Sequence, residues 1–235
     1  MCSSDLRMVV PYPPGGATDV ITRLLAQKMS DDLKQPMIAD NRGGGGQVIG
    51  TEIVAKAPPD GHTLLLASVT HSINPSLVPQ LPYDTARDFT AVSFVGSSPL
   101  VLVVHPSVPV KSVPEFGALA KTQPGKMNYA SSGNGSGGHL TMEILKNQMG
   151  IDLVHVPYKG AAASMAGLLG NQVEVMFEGP GSVTHMKSGK LRGLGVSSLK
   201  RSAVLPDLPT VAEQGVPGYE MSSWLGVSTQ AAVPR

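Results

Sequence analysis

Cysteine is nearly missing from this chain: Cys2 is the single one in 235 residues. That excludes an internal disulfide and any thiolate-held metal cluster. Aromatic residues are also scarce, at 4%, which argues against a cleft that grips sugars by ring stacking. Charged residues make up 15% of the chain, against a usual share of about 25%. The formal net charge is +1, and no basic run occurs, so there is no field for gripping nucleic acid. No apolar stretch approaches the roughly 20 residues that cross a bilayer as a helix. Hydrophobic residues are plentiful, at 41%. Such a chain buries a core and is not disordered, and its length allows one large or two modest domains.

The chain is organised around Val9–Met29, VVPYPPGGATDVITRLLAQKM. A short apolar run (Met8, Val9, Val10) stops at Pro11-Tyr12-Pro13-Pro14, two glycines follow, and a helix opens. Ile21, Leu24, Leu25, Met29 and Leu33 recur at three- and four-residue spacing and predict one apolar stripe. Asp19 falls in the first turn, at the positive end of the helix dipole. The prolines hold the loop extended, and Gly15-Gly16 let a ligand approach bare backbone. The amides of Gly16, Ala17 and Thr18 would then face outward, a natural seat for an anion. Read more plainly, the stretch is a tight strand-to-helix turn.

Further on, short strands alternate with helices of about ten residues, which predicts parallel sheets with helices on both faces. Ser68–Asn74 reads as a polar loop after the strand His62–Ala67, and Val92–Val95 and Leu100–Val104 as further strands. Ser112 and Glu115 form a capping box for a helix ending near Pro124-Gly125. The strand Met127–Ala130 enters a second glycine loop, Ser131–Gly138, ahead of a helix from His139 to Met149. The two glycine loops hold equivalent strand-to-helix positions, the ends of strands where open α/β sheets bind ligands.

Gly133, Gly135 and Gly138 fit G-x-G-x-x-G between a strand and a helix, so a dinucleotide site is one possibility. Against it, the next strand ends in Pro157-Tyr158-Lys159 rather than in a carboxylate. No P-loop exists, because Gly125-Lys126 and Gly189-Lys190 lack the following Ser or Thr. The nucleophile-elbow pattern around Ser136 fails, with Asn134 where glycine is required. Ser136 and His139 read as hydroxyl and ring contacts to a ligand rather than as a catalytic pair. The six histidines have no ligand spacing, so no metal is expected, and no cofactor.

Five stretches in order carry a resemblance: PYPPGGATD (Pro11–Asp19), KAPPDGHTLL (Lys56–Leu65), NYASSGNGSGGHL (Asn128–Leu140), VHVPYKG (Val154–Gly160) and LPDLPTVAEQGVPGYE (Leu205–Glu220). From about Leu6 to its end the chain resembles the receptors of tripartite tricarboxylate transporters, the Bug receptors. The resemblance implies an α/β, two-lobed architecture of periplasmic-binding-protein type II, with a ligand cleft between the lobes. Lobe 1 would be 6–105 plus 222–235, and lobe 2 would be 106–221. It implies a periplasmic, monomeric receptor, not an enzyme. That receptor would capture a small carboxylate (a di- or tricarboxylate or an aromatic acid) and deliver it to the membrane subunits of a secondary transporter.

Carried over position by position, the carboxylate would lie between two loops. The first supplies Tyr12, Pro14, Gly15, Gly16, Ala17, Thr18 and Asp19; the second supplies Ser131, Ser132, Gly133, Asn134, Gly135 and Ser136, with His139. Thr70 and His71, with Tyr158 and Lys159, would line the sides. The chain departs from the family at Ala161-Ala162-Ala163 and Gly167, and at Glu178, where Asp is usual. Glu178 is one methylene longer and bears on what the far side of the site accepts. MCSSDL has no signal-peptide pattern and reads as foreign to the family, while relatives continue beyond Val233-Pro234-Arg235 with helices that cover the first lobe. The competing class at this point is an enzyme using the loop at 133–138 for a nucleotide or for acyl transfer.

Overall fold

A computed structural model describes residues 6–234, so the expectations placed on Cys2 lie outside the described residues. In chain order the elements are β1 (Leu6–Val10), α1 (Ala17–Leu33), β2 (Met37–Asn41), α2 (Val48–Ala55), β3 (Thr63–Ser68), α3 (Val69–Leu77), β4 (Phe89–Pro99) and β5 (Val101–Val104). They continue with α4 (Val113–Thr122), β6 (Asn128–Ser131), α5 (Gly137–Met149), β7 (Val154–Pro157) and α6 (Ala161–Leu169). The last are β8 (Val175–Glu178), α7 (Ser182–Lys187), β9 (Arg192–Val196) and β10 (Ser222–Gln230).

The chain divides into two compact units. The first runs to Gly96 and resumes at Trp224; the second is Ser97–Ser223. The expected break after 105 and the observed one after Gly96 differ by the placement of β5. All four residues of β5 are buried, and they pair with β8 and β9 in the second unit's sheet.

Each unit is built on a five-stranded sheet, ordered β2-β1-β3-β10-β4 in the first and β7-β6-β8-β5-β9 in the second. The sheets are mixed, which corrects the expectation of parallel ones. β1 runs parallel to β2 and β3, but β10 is antiparallel to β3. In the second unit β6 is parallel to β7 and β8, while β5 is antiparallel to β8 and β9. Strand direction depends on the path of the connection, which alternating strand and helix signals do not record.

Helices cover both faces, as the two-residue side-chain period of a strand allows. In the second unit Leu102, Val104, Tyr129, Val175 and Phe177 face a core with Phe116 of α4 and Met142 and Leu145 of α5. The intervening residues Val101, Val103, Ala130 and Met176 pack with Leu168 of α6 on the other side. In the first unit Met8, Val10 and Leu66 meet α1 through Ala26, Leu25 and Met29, and Val9, Leu65 and Ala67 meet α2 through Val54.

Two further expectations need correction. The buried face of α1 is Asp19, Thr22 and Ala26, with Leu25 and Met29 beside it, while Ile21, Leu24 and Leu33 are exposed. The apolar residues form two overlapping rows, and only one of them meets the sheet. Ser68–Asn74 is not a loop: from Val69 it is the helix α3. Thr70, His71 and Asn74 turn inward, and Asn74 donates to the Gly46 carbonyl at 2.9 Å.

α2 packs very close to the strand that leads into the first glycine loop. A Cβ on Gly50 would stand 2.7 Å from the Arg42 carbonyl oxygen and 2.9 Å from Pro11 Cα. Both neighbours are main chain and cannot step aside. Gly50→Ala should therefore destabilise by roughly 1–3 kcal/mol, although alanine favours helix by about 1 kcal/mol. Chemical denaturation measures this, and a variant as stable as wild type would show that α2 lifts off freely.

Candidate functional site

The first glycine loop joins β1 to α1 and is tied down from several sides. The Tyr12 hydroxyl lies 3.0 Å from Ser68 Oγ and accepts from Gln47 Nε2 at 2.5 Å. Asn41 Nδ2 donates to the Tyr12 carbonyl at 3.2 Å. Burial pushes the Tyr12 phenol above its ordinary value, against the pull of its Ser68, Thr70 and Gln47 partners. Thr70 is buried on α3.

Asp19 latches the turn. Its Oδ2 accepts the Gly15 N–H at 3.0 Å, and its Oδ1 meets Arg23 Nε at 3.1 Å as an ion pair without an aligned hydrogen bond. Burial raises this carboxyl, but the Gly15 amide and Arg23 outweigh it and hold it below the ordinary carboxylate value. Asp19 thus shapes the loop, and its negative charge is already answered. Pro14, Gly15 and Ala17 are exposed, and Gly16 and Thr18 partly so. Gly16 caps α1 with no side-chain hydrogen bond, so no side chain of the cap occupies the first amides of the helix.

The second loop joins β6 to α5 and caps itself. Ser136 is buried, and its Oγ accepts the His139 N–H at 3.4 Å. Gly133 and Gly135 take φ of 134° and 73°, where a β-carbon is penalised. Gly138 is needed for contact: a Cβ there would stand 2.7 Å from the Phe177 carbonyl oxygen of β8. The G-x-G-x-x-G spacing thus arises from a tight turn and close helix packing. Ser132 is partly buried and Asn134 is exposed.

Ser131 Oγ lies 2.6 Å from His155 Nε2, donates to the Gly133 carbonyl at 3.1 Å and accepts its N–H at 3.2 Å. His139 Nδ1 accepts the Gly135 N–H at 3.1 Å. The His139 and His155 rings stack 4.1 Å apart, and Tyr129 lies 4.7 Å from His155 on its other face. The Tyr129 hydroxyl donates to Glu143 at 2.6 Å, and Lys146 Nζ donates to the same carboxylate at 2.8 Å.

Sequence reading missed His155, Tyr129, Glu143 and Lys146 as a group, though signals were present. His139, Glu143 and Lys146 share one face of α5 by their spacing, and Tyr129 pairs in register with His155. Burial drives the His155 ring down to about 4 and lowers His139 as well. Burial raises Glu143, but Lys146 and Tyr129 outweigh it, and its pKa falls.

Several of the residues expected at the ligand have partners within the protein. His139, expected to touch ligand, has its ring engaged with Gly135 and His155. His71 is buried on α3, edge-on to Phe89 at 4.8 Å and stacked with Tyr83 at 6.3 Å; its Nδ1 has no hydrogen-bond partner, and burial lowers its pKa. Tyr158 lies over Gly167, where a Cβ would overlap its hydroxyl, and donates to Gln172 Oε1 at 3.4 Å. The family departure at Gly167 is thus filled by this ring. Lys159 is exposed. Glu178 ends β8, next to the carbonyl that Gly138 abuts, and accepts the Gly179 N–H at 2.9 Å; burial pushes its carboxyl up.

Chemically, a helix start without a side-chain cap, as at Gly16, is suited to an anion. Ser136 Oγ bonds the His139 main chain and not its ring. Ser131 and His155 have the contact of a nucleophile and base, but Ser131 is buried and its hydroxyl is bonded into its own loop. The neighbouring carboxylate, Glu143, is taken by Tyr129 and Lys146. No group of three or more metal-binding side chains occurs among the described residues.

Two α/β units, each with a glycine turn at a strand end, define a solute-binding protein. The chain belongs to the tripartite tricarboxylate transporter receptor family, whose model matches residues 21–234. That family is one of periplasmic solute-binding receptors, not enzymes. The chain is similar to BugT of Bordetella pertussis, at 40% identity over 94% of this chain and 69% of the relative. Its fold matches R. palustris Rpa4515 with adipate at a TM-score of 0.94 and 36% identity, covering 100% of this chain and 79% of that one. It matches MatC of Rhodopseudomonas palustris with bound malate at 0.93 and 30% identity, covering 100% and 80%.

The depressed His155 value sets a stability window. Free imidazole titrates near 6.5 and His155 near 4, so between these the unfolded chain binds the proton and the folded one does not. His155 contributes its full stability above about 6.5, loses it as pH falls towards 4, and adds no further slope below that. Thermal melts across that range should fall more steeply for wild type than for His155→Gln. Parallel curves would remove the histidine from the balance.

Proposed function

We propose that this chain is an extracytoplasmic receptor that captures a small carboxylate and hands it to the membrane subunits of a tripartite tricarboxylate-type secondary transporter. The ligand class is a di- or tricarboxylate or an aromatic acid. The protein works in the periplasm as a monomer. Among the described residues no helix is long and apolar enough to cross a membrane, which fits a receptor that hands its ligand on.

One observation carries the reading: α1 opens on Gly16 with no side-chain cap, behind a turn held open by Asp19. A carboxylate oxygen there would take the place a capping side chain usually fills, at the positive end of the helix dipole. The relatives that carry adipate and malate bind dicarboxylates, which is in keeping with it. By the family resemblance the loop Ser131–Ser136 is a further ligand contact, and Glu178 adjusts preference among acids. A buried, raised carboxyl can donate to a ligand acceptor while neutral, and it rejects a second anionic group when ionised.

A panel of organic acids and their matched amides, read by thermal shift, tests this. At about 100 times its dissociation constant, a bound acid should add roughly 2.7 kcal/mol of stability, and its amide should add nothing. A folded protein that no acid on a broad panel stabilises would end the carboxylate reading.

Glu178→Gln should then reorder the acids by affinity while leaving carboxylate binding in place. An unchanged order would take Glu178 out of ligand contact.

A further inference from the structure

The rings behind the second glycine loop do more than fill space. We propose that His139, stacked on His155, is a positioning residue that keeps the loop Ser131–Ser136 in its ligand-ready shape only while its ring is neutral, so that carboxylate affinity falls on acidification. The affinity part rests on the receptor reading above; the part about loop shape does not.

The geometry requires a neutral ring at His139. Gly135 N–H donates to His139 Nδ1 at 3.1 Å, so that nitrogen carries no proton and the ring's proton sits on Nε2. Protonation would set an N–H against the Gly135 N–H, and the bond that holds the middle of the loop would be lost. Gly135 is held at a φ of 73°, a conformation glycine leaves at little cost. At the loop's base, His155 Nε2 lies 2.6 Å from Ser131 Oγ, whose bonds to Gly133 set the first turn. The one hydroxyl proton of Ser131 goes to the Gly133 carbonyl, so His155 Nε2 is the donor to Ser131 Oγ and this contact survives protonation of the ring.

The two rings lie nearly parallel, 4.1 Å between centroids and 15° between planes, so two cations would repel strongly and the pair takes one proton at a time. The other groups facing them are Tyr129 of β6 and Glu143 and Lys146 of α5. Glu143 is already bound by the Tyr129 hydroxyl and by Lys146, so little of its charge remains to favour an imidazolium. His139 also sits in the first turn of α5, at the positive end of the helix. Both rings titrate below the ordinary value.

A bound anion would pull the other way: if the loop kept its shape, an imidazolium behind it would strengthen binding. The sign of the pH dependence therefore decides between a loop that holds and one that lets go.

The test has two arms on the full chain. Without ligand, NMR follows the Gly135 amide and the ring protons of His139 and His155 as pH falls. The Gly135 resonance should move with the pair's first midpoint. With adipate as probe, calorimetry compares affinity near pH 7.5 and about one pH unit below the pair's first midpoint, for wild type and for His139→Asn/His155→Gln. Asparagine keeps an acceptor oxygen near Nδ1, glutamine keeps a polar atom near Nε2, and neither titrates. Wild type should lose about tenfold more affinity across this range than the variant, the effect of one hydrogen bond. Adipate's own protonation is common to both and cancels.

A Gly135 amide that stays still through the histidine midpoint would overturn the proposal, as would equal ratios in the two proteins or a wild-type affinity that rises on acidification. If wild type binds no adipate at the higher pH, the ligand reading is at fault, and the amide titration still decides the role of the histidines. If the double variant does not fold, the wild-type titration decides alone.

Discussion

Main chain pressed against main chain is the constraint on which both glycine loops depend. Gly50 lies where a Cβ would meet the Arg42 carbonyl oxygen and Pro11, and Gly138 where it would meet the Phe177 carbonyl oxygen. In each unit a helix therefore sits as close to its sheet as backbone allows. Pro11 begins one glycine loop, and Gly138 belongs to the helix that ends the other. Neither loop can drift without prising a helix off a strand, which costs buried contacts on the whole face. Flexible-looking glycine segments thus become the most closely defined parts of the surface.

The two loops are alike in placement and unlike in chemistry. α1 starts on an uncapped glycine, and its nearest carboxylate, Asp19, is turned to the Gly15 amide and to Arg23. α5 starts on Ser136, which caps its own helix, and its glycines are braced from behind by imidazoles. One loop opens its helix without a side-chain cap; the other is capped and braced internally. With so few charged residues in the chain, an anion at the first would be met by oriented dipoles rather than salt bridges. Dipoles fixed by packing lose little to salt and need no rearrangement when the ligand arrives.

Much of this was legible in the residues. Both glycine loops stand at strand-to-helix junctions, and Ser112 caps its helix by accepting the Glu115 N–H at 3.3 Å. These are local signals, complete within a few residues. What the residues concealed is non-local. Ser68–Asn74 looks like a loop because it is polar, yet α3 turns Thr70, His71 and Asn74 inward, where Asn74 reaches a carbonyl 28 residues away in sequence. Periodicity found the apolar residues of α1 but not which of two rows meets the sheet. Glycine spacing that fits a dinucleotide motif arose here from turn geometry and helix contact. The histidines carried no spacing of their own, because their partnership runs across a pair of strands and the start of a helix.

The place of β10 bears on how the chain is made. It lies between β3 and β4 in the first sheet, and its residues follow the entire second unit. A chain emerging from its N-terminus has every strand of the second sheet in hand once Val196 is out, while the first sheet waits in two pieces until β10 arrives. Through that interval β3, with Leu65 and Leu66 destined for the core, presents an open apolar edge. The second sheet can thus be completed by a contiguous stretch of chain, whereas the first cannot close until the last strand is added.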